Sequence, residues 1–239
     1  MTIDQLAMEG PFNKGFKPNQ HQISLPQQKS DLSDVLTIYE SAYTFDWHNQ
    51  PYAPNAHFRQ FEMSMMALPP HSPSQIQHFV NQTISFEREP YYQHITGVTV
   101  RCLINNAHSK GDYNSFLLDL RDIKPLHCLG NGLYEQDGRR LRVMVKGEVG
   151  DHCFQSIRGG MHYLEEAGDL LGTHSRSGVI YVKKAGSCGF HLDNKAHFYI
   201  QNDDTYRSFR KNASATKLPS EEWRAEWDQA EAVILSNYI

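Results

Sequence analysis

The chain has 239 residues (27.5 kDa), of which 39% are hydrophobic and 11% aromatic. That content suits a folded chain, which at this length buries about 70% of its unfolded surface without a disulfide or metal staple. Mean hydropathy is −0.58, and no apolar run approaches the length of a membrane-spanning helix. Asp and Glu outnumber Lys and Arg by 27 to 23, a balance that disfavours a broad nucleic-acid footprint.

Residues 1–30 are rich in Gln, Asn, Pro and Gly and are expected to form an extended or mobile arm, leaving 31–239 as a single domain. The spacing of Leu32, Val35, Leu36, Tyr39 and Tyr43 predicts a helix capped by Asp31 or Ser33. Residues 45–56 contain two prolines and read as loop. Phe58, Phe61, Met65 and Leu68 predict a second helix, stopped by Pro69 and Pro70, and Ile76, Phe79, Val80 and Ile84 predict a third over 73–86.

The period then shortens to two: Val98, Val100, Cys102 and Ile104 predict a strand, followed by strands at 115–123, 126–134 and 141–146. Gln136-Asp137-Gly138 is a hairpin signal, and connections this short point to antiparallel pairing. Ile157, Met161, Leu164, Ala167 and Leu171 predict a helix over 154–171, with Asp151 as its cap. Strands at 178–184 and 195–201 follow. A C-terminal helix from Ser220 presents Trp223, Trp227, Ala230 and Ile234 on one stripe. No internal repeat is read. The expected class is α+β, with N-terminal helices, a mostly antiparallel β-sheet meander, and one central and one C-terminal amphipathic helix.

Cys102, Cys128, Cys153 and Cys188 are widely spaced with no Cys-x-x-Cys pair. With no charged start and apolar stretch at the N-terminus, a cytoplasmic chain with reduced thiols is expected, or one exported by a signal-peptide-independent route. Placed at the start of the predicted 154–171 helix, Cys153 would meet free backbone N–H groups and the positive end of the helix dipole. His197 opens a predicted strand and shares a face with Tyr199 and Gln201. A helix-start thiol facing a strand histidine is the arrangement of a cysteine hydrolase. Cys102 is the alternative nucleophile.

The stretches HCFQSIRGGMHYLEEAG, GVIYVKKAG and AHFYIQND resemble papain-like NlpC/P60-class amidases and type VI secreted amidases, over about fifty residues. The resemblance implies Cys153 as nucleophile, His197 as base and Gln201 or Asp203 as the orienting group. It further implies a peptide-like or protein substrate and no cofactor. FYIQNDDTYRSFRKN resembles GIY-YIG nucleases, with Tyr181, Tyr199, Arg207 or Arg210, and the metal ligand Glu231 in the matching places, although Gln201 stands where that family has glycine. RGGMHYLEEAG is similar to the pyrophosphate-binding turn of acyl-CoA acetyltransferases. His191 and Asp193 have the spacing of half a metal site, within a region also holding His152, His162 and His174.

The competing expectation is a non-catalytic protein-binding module. Its contacts would come from exposed aromatics: Phe45, Trp47, Tyr52, Tyr91 and Tyr92.

Overall fold

The computed structural model describes residues 31–44, 54–136, 138–188 and 194–238. The expected arm, residues 45–53 of the loop expected over 45–56, and the pair His191 and Asp193 lie outside them, while residues 54–56 of that loop are the start of a helix. The first helix, α1 (Ser33–Ser41), buries Val35, Leu36 and Tyr39 and continues as a 3-10 turn, Ala42–Thr44. Helix α2 spans Pro54–Ala67. In α3 (Pro73–Gln82), Ser72 and Gln75 form a reciprocal capping box, which satisfies two orphan donors at the helix start. Ile84, expected in the buried stripe, falls on the 3-10 turn Thr83–Phe86 and is 40% exposed.

The segment expected as a strand around Val98–Ile104 is the middle of a long helix, α4 (Tyr92–Lys110). Thr99 and Leu103 are buried along with Val98, Val100, Cys102 and Ile104. A helix enclosed on every side loses its amphipathic stripe, and alternation over a few residues then imitates a strand. Its partners are the other helices on one side and the first coil of the sheet region on the other.

The antiparallel meander is overturned. Strands β1 (Ser115–Asp119), β2 (Arg142–Val149), β3 (Arg158–Ala167), β4 (Ser177–Ala185), β5 (His197–Ile200) and β6 (Ser214–Lys217) form one sheet in sequence order. Every neighbouring pair is parallel. Parallel neighbours without crossover helices require the chain to wind round once per strand, so the architecture is a β-solenoid. The register gives the length of each turn. It is 27 residues from Phe116 to Val143, 18 from Val149 to Ala167 to Ala185, and 17 from Phe198 to Ala215.

A repeat is therefore present where none was read, and its trace is Val149-Gly150-Asp151, Ala167-Gly168-Asp169 and Ala185-Gly186-Ser187. The first three returns are each made by a corner with left-handed residues at alternate positions: Cys128, Gly130 and Gly132, then His152, Phe154 and Ser156, then Leu170, Gly172 and His174. Coil-to-coil hydrogen bonds hold these corners in line, including Cys128 N–H to Asp151 O (3.0 Å), His152 N–H to Asp169 O (2.9 Å) and Gly172 N–H to Cys153 O (2.9 Å).

The expected helix over 154–171 is strand β3. Gly159 and Gly160 both have positive φ (108° and 87°), which a helix does not accommodate. Glycine in a strand marks a bulge, and here the β3–β4 register shifts by one residue between Arg158 and Met161. Arg139 N–H does bond Gln136 O (3.0 Å), so a tight turn forms at the hairpin signal, but the strand after it joins a parallel sheet. After β5 come helix α5 (Asp203–Phe209) and then β6, neither foreseen.

The C-terminal helix α6 (Ser220–Ser236) lies on the outer sheet face. It buries Trp227, Ala230 and Ile234 in one cluster with Leu117, Met144 and Tyr163. The first strand's free edge is blocked: Leu117 N–H donates to the Tyr238 hydroxyl (2.6 Å) and Asp119 N–H to Gln77 Oε1 (2.7 Å). None of the described helices is long and apolar enough to cross a membrane.

The corners differ in tolerance. At Gly172 (φ +66°) an added Cβ would lie 2.7 Å from Phe198 Cζ and 2.9 Å from Ile180 Cδ1, whereas at Gly132 (φ +67°) it meets nothing within 4 Å. Gly132→Ala should therefore lower stability by about 1 kcal/mol, the left-handed term alone, and Gly172→Ala by about 2–4 kcal/mol. Urea unfolding of the two variants checks the ranking.

Candidate functional site

The side chains expected to form a catalytic group are placed as follows. Cys153 is fully buried at a solenoid corner rather than at a helix start, and its thiol donates to Leu126 O at 3.2 Å. Asp151 caps no helix. Its carboxylate accepts from Asp169 N–H (2.7 Å) one coil away. His197 stands on β5 at the outer face, with Nδ1 2.7 Å from Ser214 Oγ and Nε2 2.9 Å from Thr216 Oγ1. Gln201 donates to Ser220 Oγ (2.7 Å), and Asp203 pairs with Lys217 (2.8 Å). None of these contacts joins Cys153 to His197. Cys102 is buried within α4, 3.7 Å from an Arg101 guanidinium nitrogen.

The nuclease-like residues are also dispersed in role. Tyr163, Tyr181 and Tyr199 stack as a ladder across β3, β4 and β5 at centroid distances of 4.8 and 4.7 Å. Glu231 pairs with Lys146 (2.5 Å) beneath α6, while Arg207 faces Asp204 at 3.9 Å on α5. Strand β6 lies between that arginine and that glutamate in the chain. RGGMHYLEEAG is strand β3, so it offers no helix N-terminus to a pyrophosphate.

A different thiol and imidazole do meet. Cys128, left-handed at φ 59° on the first corner, has its Sγ 3.3 Å from Nδ1 of His94, which sits in the first turn of α4. The Phe58 ring packs against His94 (5.2 Å between centroids). Beside them Arg101 pairs with Glu62 (2.5 Å) and donates to Asn131 O (3.3 Å). His127 Nδ1 accepts from Asp151 N–H at 2.8 Å, which fixes the proton of a neutral ring on Nε2. Burial pushes the Cys128 thiol up to about 11, against the pull of the nearby Arg101 cation. Burial also holds His94 below its usual value, with His127 adding to the effect. At neutral pH the pair is therefore an uncharged thiol against an uncharged imidazole.

This pair adjoins a cleft of about 560 Å³ between the helical layer and the first coil, lined by Glu87, Arg88, Glu89, Tyr91, Lys124 and His127 among others, with His94 in its wall. Tyr91 is 47% exposed and left-handed (φ 63°), an uncommon conformation for a bulky residue, while its neighbour Tyr92 is buried. Phe45, Trp47 and Tyr52 lie outside the described residues. Lys124 closes one side, its ammonium donating to Glu87 O (2.8 Å) and its N–H to the Glu87 carboxylate (3.1 Å).

The pairing of residues 94 and 128 was hidden because the helix carrying His94 reads as a strand a few residues later, and Cys128 reads as part of a weak strand. Among the described residues, no group of three or more His, Cys, Asp or Glu side chains is arranged to hold a metal ion. Compared with protein-family models, with curated proteins and with solved structures, the chain matches none of them.

The histidines of the repeat region have separate fates. His162 points into the solenoid core against Phe154 (4.9 Å between ring centroids). Its Nε2–H donates to Gly159 O (3.2 Å), and its buried Nδ1 has no partner. Burial lowers its pKa to about 4. Between pH 6.5 and 4 the unfolded chain binds a proton at this residue that the folded chain refuses, so stability falls as pH falls through that window. At about 1.4 kcal/mol per pH unit the loss amounts to about 3 kcal/mol. His162→Leu should flatten this part of the pH–stability curve, measured by urea unfolding between pH 7 and 4.

Proposed function

We propose that the chain is a non-catalytic binding module, in which the solenoid is a rigid frame and the junction cleft receives a peptide-like segment of a protein partner. The observation that carries the reading is the cleft. It has the volume of a binding pocket and charges of both signs at its rim, with an exposed tyrosine held in an unfavourable backbone conformation beside it. Tyrosine and arginine are the side chains most often used as anchors at protein interfaces, and Tyr91 and Arg88 both line this cleft. The thiols support the same reading. Burial raises all four of Cys102, Cys128, Cys153 and Cys188, the opposite of what a reactive thiolate needs.

The 3.3 Å contact between Cys128 and His94 favours a second reading. This is a cysteine-dependent amidase or deamidase acting on a peptide-like amide, with these two residues in the places first given to Cys153 and His197. His94 would take the thiol proton as sulfur attacks the amide carbon, and return it to the departing amine.

Two measurements separate the readings. Display selection with random peptides should enrich sequences that bind the wild type and lose at least tenfold in affinity on Tyr91→Ala combined with Lys124→Glu. Iodoacetamide labelling against pH should find no thiol titrating below the ordinary value of about 8.5. A thiol titrating near neutrality, lost in Cys128→Ala and shifted in His94→Ala, would overturn the binding reading in favour of the hydrolase.

A further inference from the structure

A second surface lies along one corner of the solenoid. Arg158 N–H donates to Leu133 O (2.9 Å), Arg176 N–H to Ile157 O (2.9 Å) and Lys195 N–H to Ser175 O (2.7 Å). Each of the three therefore bonds to the preceding coil in the same way, so they lie on successive coils, and all three are exposed; the strand register sets Arg158 opposite Ser177, so Arg176 is staggered from it along the strand. The coils that carry them lie about 4.8 Å apart. Among the described residues no carboxylate pairs with any of them. Glu135, which shares this corner through Glu135 N–H to Arg158 O (3.1 Å), turns its carboxylate toward Arg140 at 3.9 Å.

Like charges on neighbouring strands repel, and a sheet gains nothing from them by itself. Elsewhere this solenoid handles register charges differently: Glu166 and Lys184 face each other across β3 and β4 and bond at 3.3 Å. The uncompensated column is thus a local departure, and it is rigid, because the backbone that spaces it is part of the coil ladder. A line of cations with a fixed short step fits a ligand whose negative charges recur along an extended chain. Arginine adds bidentate recognition of carboxylates.

We infer that the column Arg158, Arg176 and Lys195 binds an extended acidic polysaccharide, one carrying a carboxylate on each sugar ring. A nucleic acid strand fits less well. Strand-binding surfaces interleave cations with exposed aromatic faces. The large exposed apolar side chains of the described residues, Met63, Ile84, Tyr91, Tyr113 and Val233, all lie outside the corner segments that carry the column.

The test is affinity gel electrophoresis of the full chain in gels containing polygalacturonate, neutral dextran or neither, with an oligothymidylate titration in parallel. Polygalacturonate alone should retard the wild type, and added salt should release it. Combined Arg158→Gln, Arg176→Gln and Lys195→Gln should weaken retardation at least tenfold. Its urea midpoint should be unchanged or raised, since the substitutions remove repulsion. Lys195→Arg should bind like the wild type. No retardation of the wild type beyond that in dextran, undiminished binding by the triple variant, or tighter binding of oligothymidylate would each overturn the assignment. The cleft reading is independent of this surface and survives its failure.

Discussion

The structure depends on one backbone device, a corner with left-handed residues at every second position, used in three successive coils. Alternation lets successive peptide groups turn toward the neighbouring coils, so that N–H and C=O groups at the bend are satisfied by the next turn of the chain. Among the described residues, six of the nine left-handed positions in these three corners are not glycine: Cys128, His152, Phe154, Ser156, Leu170 and His174. Each such residue costs about 1–2 kcal/mol relative to the right-handed region. The coil-to-coil hydrogen bonds and the core side chains offset that cost together, so the corners stand or fall as a set. Asp151 shows the coupling in one residue, accepting from Asp169 N–H through its side chain and donating to His127 through its own N–H.

The same device places everything of functional interest. The first corner brings Cys128 against His94 of the buried helix, and the cleft opens where helical layer and first coil meet. Further along, matching coil-to-coil hydrogen bonds set Arg158, Arg176 and Lys195 on successive coils. The outer sheet face has a different fate. Its tyrosine ladder presses ring against ring, and Tyr163 also shares a cluster with Trp227 of the C-terminal helix. Those rings spend their faces on each other and on packing.

Part of this is legible in the sequence. The first and third helices follow from apolar spacing, and the stripe of the last helix includes Trp227, Ala230 and Ile234, all buried. Strand positions after residue 140 are also readable, except β3 and β6. What the residues do not announce is the direction of pairing, because alternation along a strand is the same in parallel and antiparallel sheets. The usual cue to parallel pairing, a crossover helix, is missing in a solenoid. The repeat is disguised for a related reason. Only a Gly-Asp or Gly-Ser pair recurs, while the left-handed positions carry phenylalanine, leucine, histidine and cysteine instead of glycine. Reading β3 as a helix then put Cys153 at an imagined helix start, and the whole candidate site followed from that one misplaced element. The pairing of His94 with Cys128 could not be read, since it joins a helix to a coil 34 residues away.

The most direct test is a crosslinking comparison of coil neighbours. Arg158→Cys with Arg176→Cys places two thiols one coil apart, and Arg158→Cys with Lys195→Cys places them two coils apart. With a short thiol–thiol reagent and peptide mapping, stacked coils predict an efficient intramolecular link between 158 and 176 and little between 158 and 195. Equal yields for both pairs, or none for the first, would contradict the stacked solenoid and remove the cation column with it.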